Sequence, residues 1–104
     1  MAVESELSPD GKKLTIRVKG RFDFGKHQEF RKTYEDDSGR SSRQFDAVVV
    51  DLKEATYLDS SALGMLLLLR DHAGEDSQIS VINTTPDVRK ILAISNFEKL
   101  FEIS

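Results

Sequence analysis

Cysteine is absent from the chain. That excludes a disulfide framework, a thiolate zinc site and a cysteine nucleophile. Histidine occurs only at His27 and His72, with no metal-chelating spacing and no H-E-x-x-H. Loops of the G-x-x-x-x-G-K-[ST] and G-x-G-x-x-G types are missing, which removes the familiar nucleotide cradles. Without a nucleophile–base pair no catalytic constellation remains, so neither an enzyme nor a cofactor is expected. Basic charge is not in excess: 15 Lys and Arg stand against 18 Asp and Glu, for a net charge of −3. A domain that grips a nucleic-acid backbone carries a basic stripe, so direct nucleic-acid binding is not expected. Long apolar runs are lacking too. The longest, Ala62 to Leu69, is broken by Gly64 and falls far short of the ~20 residues that span a bilayer. Met1 to Leu7 is acidic and alternating, unlike a secretory signal, and the expected address is the cytoplasm.

What is present reads as one globular domain over residues 1–104, with 38% apolar and 32% charged residues. Val3, Ser5 and Leu7 alternate with Glu4 and Glu6, as in an edge strand. Ser8-Pro9-Asp10-Gly11 is a turn: proline presets one backbone angle, aspartate bonds its own backbone, and glycine accepts positive φ. Lys13 to Lys19 alternates again, so the two strands should form a hairpin. Gly20 to Gly25 reads as a loop. From Lys26 to about Glu35, His27, Phe30 and Tyr34 share one helical face. Glu35 to Arg43 is a polar loop. Phe45 to Leu52 holds a β-branched run, which predicts a central strand buried on both faces. Ala62 to Arg70 is leucine-rich and helical, with Gly74 as its stop. Ile79 to Ile82 is a short strand. Pro86, after Thr84 or Thr85 as cap, opens a helix through Leu92, and Leu100 to Ile103 is a last strand. The order β-β-α-β-α-β-α-β predicts an α/β domain: a mixed sheet of four to five strands with three to four helices packed on it. Monomer is the expected state, since no apolar surface stripe remains once the core is assigned.

The residues that could carry chemistry are few. Asp23, Asp51 and Asp59 fall near strand ends. A phospho-aspartate receiver also has strand-end acids, but Asp23 lacks an adjacent acid and no lysine follows Ile82 in the required place. One segment stands out, Leu58-Asp59-Ser60-Ser61-Ala62-Leu63-Gly64, which links a strand to the apolar helix. A serine at a helix start sits where unpaired amides and the dipole favour an anion. Phosphorylation of Ser60 would be tolerated there and would add about −1.5 to −2 charges beside Asp59. The plainer reading is that Ser60 or Ser61 caps the helix, worth about 1 kcal/mol. The two readings are compatible, and spacing alone does not choose between Ser60 and Ser61. Asp23 reads equally as a turn residue or as a group aligning the serine loop. Met65 and Leu66 are candidate exposed docking residues, with most of Leu66 to Leu69 in the core.

Asp59-Ser60-Ser61-Ala62-Leu63-Gly64 followed by Met65-Leu66-Leu67 resembles the phosphorylation motif of STAS domains, and within them the anti-sigma factor antagonists. Gly20-Arg21-Phe22-Asp23 resembles the family's loop before its first helix. Val48-Val49-Val50-Asp51-Leu52 resembles its central strand, and Thr84 to Leu92 its last, proline-led helix. The resemblance implies a STAS fold and Ser60 as phosphoacceptor. It also implies two partners: an anti-sigma factor with serine kinase activity, and a serine phosphatase of the metal-dependent type. The unphosphorylated form would bind the anti-sigma factor, on a docking face formed by Asp23, Asp59, Ser60, Ser61, Ala62 and Met65. Many family members have glycine at the position of Ala62; alanine favours helix and keeps the motif. A second implied role is a constitutive STAS subunit of a membrane transporter or lipid-trafficking complex, without membrane insertion of its own.

Overall fold

A computed structural model describes residues 3–34, 45–73 and 77–104; the polar loop expected from Glu35 to Arg43 and the expected stop at Gly74 lie outside the described residues. The hairpin forms as expected. Strands β1 (Val3–Leu7) and β2 (Lys13–Val18) pair antiparallel, with Leu7 opposite Leu14. Their turn is closed by the Ser8 hydroxyl donating to Asp10 and by Gly11 at φ +74°, a left-handed conformation in which glycine is unstrained. Strands β4 (Ala47–Asp51), β6 (Gln78–Ile82) and β7 (Glu102–Ile103) extend the sheet in parallel, in the order β1-β2-β4-β6-β7. Helices α1 (His27–Lys32), α2 (Ser60–Ala73) and α3 (Pro86–Ile94) supply the crossovers. Thr85 is the cap of α3: its hydroxyl oxygen accepts the Val88 N–H at 3.3 Å, with Pro86 in the first turn.

The sheet register explains which face is dry. Leu14, Val48 and Ile79 lie in one row, and Ile16, Val50 and Val81 in the next; all six are buried. The rows between them, such as Thr15, Val49 and Ser80, are only half-buried. β4 is therefore buried on one face, not on both as its β-branched run predicts. The helical layer covers a single side, and the other side is closed by polar residues and ion pairs, such as Arg17 with Glu6 at 3.1 Å and Asp51 at 3.8 Å.

Two strands escape the sequence reading. Gly20–Phe22 (β3), expected as loop, pairs in parallel with Ala55–Leu58 (β5), and the two form a separate small sheet. β3 has three residues, opens on Gly20 at φ +74° and shifts register after it. β5 has buried ends and exposed middle residues. β3 is too short for a period of two to be read, and β5 does not show one. The first helix is also shorter than expected: a 3₁₀ turn over Phe24–Lys26 precedes α1, which ends at Lys32. Of the expected face, Phe30 and Tyr34 are buried, while His27 is half-buried against the Phe24 ring. His72 lies in the last turn of α2, its ring 5.1 Å from that of Tyr34.

Candidate functional site

The small sheet positions the serine motif. β3 and β5 run parallel, with Phe22 opposite Leu58, so the residues that follow, Asp23 and Asp59, leave the same end of the sheet. The Asp59 N–H donates to the Phe22 carbonyl at 3.4 Å and ties the two exits together. In α/β folds, loops at the carboxyl ends of parallel strands are where ligands and partners are met.

Each aspartate caps the turn it opens. Asp59 Oδ1 accepts the Ala62 N–H at 3.0 Å, while the Asp59 carbonyl accepts the Leu63 N–H. That is the geometry of a helix N-cap. The cap of α2 is therefore Asp59 rather than Ser60 or Ser61, and Ser60 occupies the first helical position with its side chain exposed. The amides of Ser60 and Ser61 lie in the first turn, where a helix has no internal acceptor for them. Ser61 is half-buried. The start of α2 thus combines an exposed serine hydroxyl, first-turn amides, the positive end of a 14-residue helix, and one carboxylate already engaged in the cap.

Asp23 does the same for the 3₁₀ turn. Its Oδ1 accepts the Gly25 N–H at 3.0 Å, its carbonyl accepts the Lys26 N–H, and its Oδ2 lies 3.6 Å from Arg21 Nε. This is the turn role; its carboxylate is directed to its own loop and to Arg21. The Arg21 guanidinium stands 4.7 Å over the Tyr57 ring, its register partner across the small sheet.

The structure separates the expected docking residues. Asp23, Asp59, Ser60 and Ser61 reach the surface in whole or part. Ala62 and Met65 do not: their relative exposures are 0% and 3%, and Leu66 is fully buried as well. The expectation that Met65 and Leu66 are exposed is corrected. With Ala62 and Leu69 they form the i, i+3, i+4, i+7 stripe that seats α2 on the sheet. The exposed leucines of the run are Leu67 and Leu68. Sequence reasoning missed three surface neighbours, Arg21, Phe24 and Tyr57. The available signal was an aromatic held between Asp23 and Gly25, where a turn leaves no core for it to enter. A groove of about 550 Å³ lined by Arg70, Asp71, Gln78 and Leu100 lies at the opposite end of α2 from Ser60. Among the described residues no cluster of His, Asp and Glu is arranged to hold a metal, and no helix is long and apolar enough to cross a membrane.

Comparison with known proteins agrees with this architecture. The profile of the family described as "Mlab, STAS domain" matches residues 5–102. A STAS-domain containing protein of Pseudomonas aeruginosa (strain UCBPP-PA14) is 63% identical over 105 residues, 100% of both chains. The anti-sigma F factor antagonist of Paenibacillus polymyxa is 27% identical over 107 residues, 99% of this chain and 87% of its own. The Bacillus cell fate determinant SpoIIAA in its phosphorylated form matches with a TM-score of 0.68 and 18% identity, over 99% of this chain and 91% of that one. The anti-sigma factor antagonist SpoIIAA in its unphosphorylated form gives 0.70 and 16%, over 99% and 87%. At such identities the structural likeness carries the fold. The family match spans nearly the whole length, and the chain belongs to the STAS domain family, with anti-sigma factor antagonists among its relatives.

Proposed function

We propose that the protein is an anti-sigma factor antagonist whose partner choice is set by phosphorylation of Ser60. The observation that carries this reading is the division of labour at the start of α2. Asp59 supplies the cap, so the exposed Ser60 hydroxyl is not needed to hold the helix. A phosphoryl group there would meet the positive helix end and the first-turn amides. The fold would survive, while the face gained about −1.5 to −2 charges. A surface that binds when neutral and is strongly hydrated when phosphorylated is a switch of binding rather than of folding.

In this reading the unphosphorylated form binds an anti-sigma factor and frees the sigma factor. The anti-sigma factor carries the serine kinase activity and transfers phosphate to Ser60; a serine phosphatase of the metal-dependent type removes it. The protein is no enzyme, needs no cofactor, works as a monomer in the cytoplasm and touches neither nucleic acid nor the bilayer. Ser60 is favoured over Ser61 because it is the more exposed of the two.

The test is intact-mass and fragment mass spectrometry of the protein from its native cells, with Ser60→Ala in parallel. The expected result is one phosphoryl group on Ser60, absent from the variant, together with partner binding by Ser60→Ala and its loss in Ser60→Asp. No phosphoryl group across growth phases, with equal binding by both variants, overturns the switch. It would leave the constitutive STAS subunit of a transporter or lipid-trafficking complex as the reading.

A further inference from the structure

Phe24 is 69% exposed, the most exposed aromatic side chain among the described residues. Its position is not an accident of a loose loop. It opens the 3₁₀ turn that Asp23 caps, and a Cβ added at Gly25 would stand 3.1 Å from Asp23 Oδ1, so glycine lets the turn close on the carboxylate. The ring then stacks on His27, with centroids 5.5 Å apart and planes at 14°. The fold thus presents an apolar ring to water, where it contributes little to the core. An aromatic side chain has only two χ angles to fix on binding, which is what makes it an efficient contact.

Its neighbourhood points to the occupant. Phe24 follows Asp23 at the end of β3, and Ser60 follows Asp59 at the end of β5; the Asp59–Phe22 hydrogen bond joins the two exits. The charges on these segments balance: Arg21 and Lys26 against Asp23 and Asp59. A phosphate backbone or an anionic lipid surface needs a basic excess, which this face lacks. A neutral face with one exposed ring fits an apolar pocket on a protein.

We propose that Phe24 is the anchor of the docking face, its ring inserted into a neutral apolar pocket of the protein that reads Ser60. This deepens the switch reading and rests on it for the identity of the partner. Phosphate on Ser60 then acts on an interface whose main apolar contact is already in place.

The test uses the full chain and, as probe, the purified anti-sigma factor of the same cells that Ser60→Ala retains. Wild type, Phe24→Ala, Phe24→Leu, Ser60→Ala and Ser60→Asp are titrated calorimetrically, and each is melted. Phe24→Ala should weaken binding about 30-fold or more, the scale of a hot-spot residue. Phe24→Leu should lose less, and both should melt within about 2 °C of wild type, because little core packing is removed. If Phe24→Ala binds within about threefold of wild type while Ser60→Asp does not bind, the anchor is wrong and the switch stands. If Ser60→Asp binds as well as Ser60→Ala but Phe24→Ala does not bind, the switch is wrong and the anchor stands. A concentration-dependent dimer of the free protein, lost in Phe24→Ala, would assign the ring to a second copy and overturn the proposal.

Discussion

Replacing Asp59 by alanine should destabilise the domain, and replacing Ser60 by alanine should not. The Asp59 carboxylate accepts the Ala62 N–H at 3.0 Å, and that amide has no acceptor inside the helix. Losing such a cap costs about 1 kcal/mol, and losing a negative charge at the N-terminus of α2 costs about 0.5 kcal/mol more. Unfolding entropy of roughly 2.1 cal/mol/K per residue gives about 0.22 kcal/mol/K for 104 residues. A loss of about 1.5 kcal/mol therefore lowers Tm by about 7 °C. Asp59→Asn keeps the acceptor and loses only the charge, so it should fall by about 2 °C. Ser60→Ala exchanges an exposed first-turn serine for a better helix former and should be neutral or slightly stabilising. Thermal melts by circular dichroism, with urea titrations to check that m is unchanged, read the series directly. An equal or larger loss in Ser60→Ala than in Asp59→Ala would refute the assignment of the cap. Ser60 would then be needed to hold the helix and would not be free to be modified.

Gly64→Ala should raise stability by about 0.5–1 kcal/mol: the residue lies inside α2, and a Cβ there would meet no atom within 4 Å. A lower Tm would show that the backbone at Gly64 is not ordinary helix. Leu66→Ala removes a fully buried side chain and should cost about 2–5 kcal/mol in a urea titration. A cost under about 1 kcal/mol would contradict its place in the stripe that seats α2. The Glu4 carboxyl, hydrogen-bonded by Lys19 across the hairpin, is held below its ordinary value, and Lys19 is raised in return. The lowered Glu4 contributes stability above its unfolded-state value and loses it as pH falls through the folded one; the raised Lys19 contributes below its own unfolded value and loses it as pH rises through the folded one. Carboxyl NMR titration should show the Glu4 midpoint moving up towards the ordinary glutamate value in Lys19→Met; no movement would mean that the pair does not persist in solution.

The fold was legible wherever one face of an element is wet. β2 alternates, α3 shows Val88, Ile91 and Leu92 on one side, and the Ser8–Gly11 turn carries its own chemistry, so these elements stand where expected. Legibility failed where the pattern is uniform or the segment too short. Ala62 to Leu69 is apolar almost all round, so its periodicity cannot say that Met65 and Leu66 point in and Leu67 and Leu68 point out. Val48, Val49 and Val50 read alike, yet only Val48 and Val50 reach the helical layer. β3 and β5 have three and four residues, and their pairing is a long-range event that no local pattern encodes. That pairing brings Asp23 beside Asp59, so the site's residues were readable one by one while their proximity was not.

The two aspartates occupy equivalent places, and this organises the face. Each leaves a strand of the small sheet, each turns its carboxylate back onto its own backbone, and each leaves the next residue exposed. After Asp23 that residue is a phenylalanine, and after Asp59 a serine. The first is apolar and stacked on His27; on the proposed switch, the second changes its charge without changing the fold. Burying a phenyl ring requires that the water around it be displaced, and a dianion close by binds that water tightly. On the proposed switch, phosphorylation therefore needs no movement of the core to weaken a partner's hold. It makes the apolar contact more costly to form, by placing a strongly hydrated group on the exit that the Asp59–Phe22 hydrogen bond ties to the end of β3.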